Sequence, residues 1–126
     1  EEGLENIFHR HNKHKLAMSK AVKALNLKLF ADEKHLSPSI TAIKTQEMDA
    51  EEFRKIIKND FDILLAGGQD HLKGQIFRVG HLGYVSDRDI ITVISAISKT
   101  LLDLGKITTK EAGEALEVAS KKLKYN

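Results

Sequence analysis

The feature of the sequence that most constrains its fold is a short apolar segment with an arginine inside it. Residues 75–80 read Gln-Ile-Phe-Arg-Val-Gly, and this content of aromatic and β-branched residues predicts a strand. Successive side chains of a strand point to opposite faces, so Phe77 and Val79 share one face while Ile76 and Arg78 share the other. We therefore expect one face in the core and the other against water, a partner or a ligand.

Arg78 is the residue of this strand that needs an explanation. A guanidinium is always charged, and its planar fork of donors is suited to holding a carboxylate or phosphate with two hydrogen bonds. The simpler interpretation is an arginine that points to solvent from a half-exposed sheet. The strand alone leaves both interpretations open.

The remaining sequence alternates helical and extended patterns around this strand. Apolar residues at three- and four-residue spacing predict helices at about 1–26, 49–60, 87–104 and 108–124. Alternating or continuous apolar runs predict three further strands, at 27–31, 39–45 and 61–66. This order predicts an α+β domain with a small, largely antiparallel sheet and helices on one face. The face with Ile76 and Arg78 is then expected to be uncovered.

Several polar residues predict where the helices begin. Asp49, Ser86 and Thr108 each precede a helical pattern and are residue types that cap the first N–H groups of a helix. Asp49 and Glu52 form a capping-box pattern, in which Glu52 reaches back to the start of the helix, and Thr108 with Glu111 opens the last helix. A polar loop at 32–38 contains the single proline of the chain, which prevents the preceding segment from continuing as a helix.

Composition excludes several classes of protein. The 126 residues fit one domain, and the formal net charge of +2 is too small to indicate nucleic acid or an anionic membrane as a partner. The sequence contains no cysteine, which excludes a disulfide, a thiolate metal site and a cysteine nucleophile. No apolar run approaches the ~20 residues of a membrane helix, and no signal peptide opens the chain. We expect a cytoplasmic protein.

Three histidines in the first helix raise the question of a metal site. Of His9, His11 and His14, only His11 and His14 have a spacing that brings two ligands together on one helix face. No cysteine or carboxylate cluster completes a ligand set, so we predict no metal. The three side chains are expected on a solvated, basic helix face.

Several sequence blocks together resemble a known family. These are Gln75-Ile76-Phe77-Arg78-Val79-Gly80-His81-Leu82-Gly83-Tyr84-Val85 with the helix that follows from Asp87, Glu2 to Phe8 with Arg10 and His11, Ser37 to Ala42, and Leu64 to Gln69. They resemble the C-terminal small domain of class V pyridoxal-phosphate aminotransferases. The branch is that of alanine–glyoxylate and serine–pyruvate aminotransferases, which includes proteins named soluble hydrogenase small subunit. The resemblance covers about residues 1–104.

The resemblance implies roles for individual residues. Arg78 occupies the position of the arginine that binds the substrate carboxylate, and Gln69 is expected to border the same site. The full-length protein would move an amino group from alanine or serine to glyoxylate or pyruvate, as a homodimer. His81 and Tyr84 flank the glycine turn after Arg78, and we expect His81 to pack or hydrogen bond at the strand end.

The cofactor is expected outside this chain. In the family, pyridoxal phosphate and its Schiff-base lysine belong to a large domain that precedes the small one. The chain opens with Glu-Glu and no Met, which agrees with a segment of a longer protein. No lysine here lies in a matching motif, so we assign no catalytic, cofactor-binding or metal residue to the chain. The isolated domain, which would run through residues 1–126, is predicted to bind no cofactor and to be inactive.

Other functions compete with this interpretation. Gly67-Gly68-Gln69 matches the hydrolytic tripeptide of peptide release factors, but those act on ribosomal RNA and need a basic loop, whereas Asp70 follows here. Cysteine desulfurases share the superfamily but need a cysteine, and a hydrogenase needs metal-cluster ligands that are missing.

A free-standing α+β module that binds a small anion or another subunit predicts the same fold. The reading frame upstream of Glu1 discriminates between that module and the enzyme.

Overall fold

The computed structural model describes residues 3–30, 40–80 and 86–125. The predicted loop at 32–38, together with His81 and Tyr84, lies outside the described residues. The elements, in chain order, are α1 (Leu4–Ala24), β1 (Lys28–Leu29), β2 (Ile40–Lys44), α2 (Ala50–Phe61), β3 (Ala66–Gly67), a 3-10 turn (Asp70–Leu72), β4 (Ile76–Gly80), α3 (Asp87–Asp103) and α4 (Thr109–Tyr125).

The strands form one antiparallel sheet in the order β1-β2-β4-β3. Strand β4 is central to it, because it pairs with β2 over its whole length and with β3 at two positions. The predicted α+β class with an antiparallel sheet is confirmed. The strand predicted around Arg78 also has the expected alternation, since Phe77 and Val79 are buried in the core.

The core forms where helices cover one face of the sheet. The ring of Phe77 stacks on Phe53 of α2 with 5.1 Å between ring centroids, and Ile43 pairs beside Phe77 from β2. Helix α3 buries four large aliphatic residues in the same cluster, Ile90, Ile94, Ile97 and Leu101. Aromatic and aliphatic burial of this kind is the main stabilising contribution to folding.

The last helix packs against α1 and α3, a position that the sequence did not predict. Four alanines on the packed helices are almost inaccessible to solvent: Ala17 and Ala21 on α1, and Ala115 and Ala119 on α4. Small side chains let helix backbones approach closely. Asn26, just beyond the end of α1, donates a hydrogen bond to Glu111 in the first turn of α4, so the two helices run antiparallel.

The helix starts were predicted well. Ser86 and Asp89 form a reciprocal capping box at the start of α3, and Thr108 with Glu111 does the same at α4. Asp49 caps α2 as predicted, by accepting from the N–H of Glu51 at 3.0 Å. The predicted reciprocal bond to Glu52 was wrong, because among the described residues the cap consists of the Asp49 side chain alone. These caps satisfy N–H groups that no carbonyl of the helix itself can reach.

The strand predicted at 61–66 was wrong in extent. Helix α2 continues through Phe61 and ends where Asp62 adopts a left-handed conformation with φ 56°, so that β3 keeps only Ala66 and Gly67. Leu64 is 79% exposed, whereas Leu65 is buried. The apolar run resembled a strand because its composition is β-like, but only one of its leucines reaches the core.

None of the helices in the described ranges is both long and apolar enough to span a bilayer.

The stacked position of Phe77 leads to a stability prediction. We expect Phe77→Ala to lower the free energy of unfolding by about 3–5 kcal/mol, because it leaves a cavity beneath the sheet. Urea denaturation followed by circular dichroism measures the change. The control is Leu64→Ala, which removes an exposed side chain and should cost less than about 0.5 kcal/mol. Equal losses in the two variants would contradict the assignment of the core.

Candidate functional site

Arg78 lies on the sheet face opposite the core, between two small neighbours. Arg78 pairs with Ala42 of β2 on one side and with Ala66 of β3 on the other. Directly opposed residues of paired strands project to the same face, so the guanidinium is flanked by methyl groups that leave it room. The predicted outward direction of Arg78 agrees with this placement.

One nitrogen of the guanidinium is already bonded. Arg78 Nε donates a hydrogen bond to the backbone oxygen of Gly67 at 3.0 Å. The two terminal nitrogens form no hydrogen bond or ion pair with any residue in the ranges 3–30, 40–80 and 86–125. The side chain is half-buried, so a planar anion would meet a guanidinium that is oriented and partly shielded from water.

The open face around Arg78 is basic. Lys44 lies two residues from Ala42 on β2, and its Nζ is 5.9 Å from the centroid of the Phe30 ring. Lys28 pairs opposite Lys44, and none of the described strand residues is acidic. Together these cations favour an anionic ligand over a cationic one.

The expectation that Ile76 is uncovered was wrong. Ile76 shares the face of Arg78 but is only 4% exposed, because the segment from Gly68 to Gln75 folds against it. A Cβ added at Gly68 would lie 2.9 Å from Ile76 Cγ1 and 2.7 Å from the backbone carbon of Leu72. The position therefore requires glycine, and the loop covers the part of this face around Ile76 while leaving Lys28 and Lys44 exposed.

Gln69, the second predicted site residue, belongs to this same loop. It is exposed and precedes the 3-10 turn, and its backbone oxygen accepts from the N–H of Leu72 at 2.9 Å. The loop brings Gln69 two residues from Gly67, which contacts Arg78. A ligand role for Gln69 stays a prediction.

Sequence reasoning missed a supporting pair beneath Gly67. Arg54 of α2 donates from Nε to the backbone oxygen of Leu65 at 2.8 Å and from Nη1 to Glu51 Oε1 at 2.7 Å. A Cβ at Gly67 would lie 2.6 Å from Glu51 Oε2 and 2.7 Å from Arg54 Nη1. The i,i+3 spacing of Glu51 and Arg54 was the available signal for an ion pair, but it does not reveal the contact with β3.

The prediction of a solvated histidine face was wrong for His14. Its side chain is fully buried, and Nε2 lies 2.9 Å from Oδ1 of Asp87 at the start of α3. Lys13 Nζ lies 3.0 Å from the same carboxylate oxygen. His9 is exposed as expected and His11 is half-buried. Among the residues that the structure describes, no group of three or more His, Cys, Asp or Glu could hold a metal.

The environment of His14 favours its neutral form. Burial lowers the pKa of His14, and the hydrogen bond and charge of Asp87 offset this effect only in part. Burial alone would raise the pKa of Asp87, but the hydrogen bonds from His14 and Lys13 bring it below its usual value. A neutral His14 that donates Nε2–H to Asp87 leaves Nδ1 as a buried acceptor with no hydrogen-bond partner in the part of the chain that the structure describes.

This burial predicts a pH dependence of stability. Between the ordinary histidine pKa of 6.5 and the lower pKa in the folded state, the unfolded chain holds more protons, so stability falls as the solution is acidified below 6.5. We expect His14→Gln to flatten this slope in urea denaturation between about pH 7.5 and pH 5.

His9→Gln, at an exposed position of the same helix, serves as the matched control and should keep the wild-type slope. A His14→Gln protein with an unchanged slope would show that another group causes the pH dependence. Asp87 titrates below this range, because its own pKa is lowered.

The fold places the chain in a recognised structural class. It superposes on the crystal structure of ureidoglycine–glyoxylate aminotransferase from Bacillus subtilis with a TM-score of 0.82 and 31% sequence identity. The match covers 94% of this chain and 32% of that one. The fold is that of an aminotransferase small domain.

Sequence comparison identifies the family. The chain is 52% identical over 122 residues to a protein named soluble hydrogenase, small subunit, from Synechococcus sp. strain PCC 6716, which covers 97% of this chain and 32% of that protein. It is 34% identical over 128 residues to the serine–glyoxylate aminotransferase of Methylorubrum extorquens, covering 100% and 31%. No protein-family model matches the chain.

The chain belongs to the class V aminotransferases, as a segment with the fold of their small domain. It spans 31% to 32% of the length of these two curated relatives.

Proposed function

We propose that this chain is the C-terminal small domain of a pyridoxal-phosphate-dependent transaminase and that Arg78 binds the α-carboxylate of the substrate. The observation that carries the proposal is the state of the guanidinium: Nε is bonded to Gly67, while both terminal nitrogens are without a bond to any described residue. That arrangement is suited to a carboxylate held by two parallel hydrogen bonds. A carboxylate fixed in this way orients the Cα–H bond of an amino acid for proton removal.

The proposed substrates are small amino and 2-oxo acids. The names of two relatives state a transfer to glyoxylate, from serine in one and from ureidoglycine in the other. We propose alanine or serine as the amino donor and glyoxylate or pyruvate as the acceptor. All four present a planar carboxylate to the same guanidinium, so Arg78 would act in both halves of the exchange.

The cofactor is expected to bind outside this chain. Pyridoxal phosphate needs a lysine for the Schiff base, an acid near its ring nitrogen and a phosphate cup. The open face offers Lys28 and Lys44, but none of the strand residues that the structure describes is acidic. We therefore propose that a large domain supplies the cofactor and its chemistry, while this chain binds and orients the substrate.

The family relationship also supports two proposals about the full-length protein. We propose that it is a homodimer and that it acts in the cytoplasm.

Arg78 provides the direct test. In the full-length protein, Arg78→Ala should weaken binding of L-alanine or L-serine by about 100-fold or more, because a two-bond charged contact is lost. Titration of the amino acid against the visible absorbance of the bound cofactor measures the affinity. Thermal unfolding should change little, since Arg78 is outside the core.

Lys44→Ala is the matched control, because it removes a neighbouring cation of the same face without removing the fork. It should leave amino-acid affinity within about threefold, as expected for a screened surface charge. Equal affinities in wild type and Arg78→Ala would refute the carboxylate role.

A second prediction concerns the 126-residue chain alone. Incubated with pyridoxal phosphate, L-alanine and glyoxylate, it should form no pyruvate above the level produced by the free cofactor. The reason is that the groups which bind and activate the cofactor lie in the proposed large domain. Lactate dehydrogenase with NADH reports the pyruvate. Pyruvate formation that depends on the chain would contradict the proposal that a large domain supplies the cofactor chemistry.

A further inference from the structure

Strand β3 carries the carbonyl that orients Arg78, yet it is too short to hold its own position. It consists of Ala66 and Gly67 and, among the strands that the structure describes, pairs with β4 alone at the edge of the sheet. Two residues at a sheet edge contribute very few ladder hydrogen bonds, and such edges fray easily. Further contacts must therefore fix the carbonyl of Gly67.

Those contacts come from α2. Arg54 Nε holds the backbone oxygen of Leu65 at 2.8 Å, one residue before the strand. Its Nη1 holds Glu51 Oε1 at 2.7 Å, and the ion pair lies directly under the α-carbon of Gly67. Gly67 is thus confined from below by the Glu51–Arg54 pair while its carbonyl accepts from Arg78 above.

The contact with Gly67 fixes more than one atom of Arg78. The Nε–H bond lies in the plane of the guanidinium, so a hydrogen bond at Nε restricts rotation of the whole planar group. The two terminal nitrogens then point in a set direction before a ligand arrives. Preorganised donors bind more tightly because less side-chain freedom is lost on binding.

We propose that Arg54, held by Glu51, is a positioning residue for Arg78, acting through the backbone of Leu65 and Gly67. The inference rests on the proposed role of Arg78 in binding the substrate carboxylate. The proposal gives Arg54 a role in substrate affinity, although its guanidinium binds the backbone of Leu65 and the side chain of Glu51. In the proposed role, Arg54 does not contact the substrate.

The test uses the full-length protein with three single variants. Arg54→Met keeps an unbranched, largely apolar stem but removes the guanidinium and its donors, and it should raise the KM for the amino acid about tenfold with kcat within about threefold. Arg54→Lys keeps one charged donor and should give a smaller rise. Lys58→Met is the matched control, because Lys58 lies one turn later on α2 and, among the described residues, forms its ion pair with the exposed Asp62. It should leave both constants unchanged.

A double variant separates positioning from a merely structural role. If Arg54 acts through Arg78, adding Arg54→Met to Arg78→Ala should change amino-acid affinity by less than about twofold, because the group being positioned is gone. A tenfold loss that persists in the Arg78→Ala background overturns the inference. In a crystal structure of Arg54→Met, the hydrogen bond between Arg78 Nε and Gly67 should be lengthened or lost.

Gly67→Ala gives an independent approach should Arg54→Met fold poorly. The added methyl would displace the Glu51–Arg54 pair, so it should also raise the KM. If Arg78→Ala leaves affinity intact, the proposed function fails, and the inference fails with it. If Arg78→Ala costs affinity while Arg54→Met and Gly67→Ala do not, only the inference fails.

Discussion

The structure depends on the alternation of side chains along one central strand. Strand β4 is paired on both sides, so its backbone cannot rotate without breaking two ladders. Phe77 is thereby held against Phe53 in the core, and Arg78 must project from the other face. Burial of the aromatic ring supplies the free energy that fixes the strand. The arginine points away from the core because Phe77 is buried and because successive side chains of a strand alternate between the two faces.

The separation of core and site onto opposite faces allows each to be specified by different residues. The core face needs shape and apolar area, which Phe77 and Ile43 provide. The open face needs little packing, and small residues such as Ala42 and Ala66 beside Arg78 leave space for a ligand. Under the proposed function, a change at Arg78 would therefore affect binding more than folding, because the residue lies outside the core.

Much of this could be predicted from the sequence because the signals were local. The periodicity of α1 and α3, the caps at Ser86 and Thr108 and the alternation around Arg78 depend on residues only a few positions apart. The carboxylate-binding role of Arg78 came from the family resemblance alone, and it stays a prediction. These predictions needed no knowledge of how distant segments meet.

What failed depended on distant contacts. His14 was expected in solvent because nothing near it in sequence shows Asp87, 73 positions later. Strand β3 was overextended because burial of Leu65 rather than Leu64 is decided by where α2 ends. The contact of Arg54 with Leu65 spans 11 residues and ends on a backbone atom, so side-chain identity gives no signal for it.

The alanines that line the packed helices α1 and α4 have a consequence for how that pairing is stabilised. Ala17, Ala21, Ala115 and Ala119 are all inaccessible to solvent, and alanine has no rotamers to lose when it is buried. The two helices therefore gain close backbone contact without freezing any side-chain torsion at these positions. A bulkier residue at one of these buried positions would need space that the closely packed helices do not leave, so it would force them apart at that point.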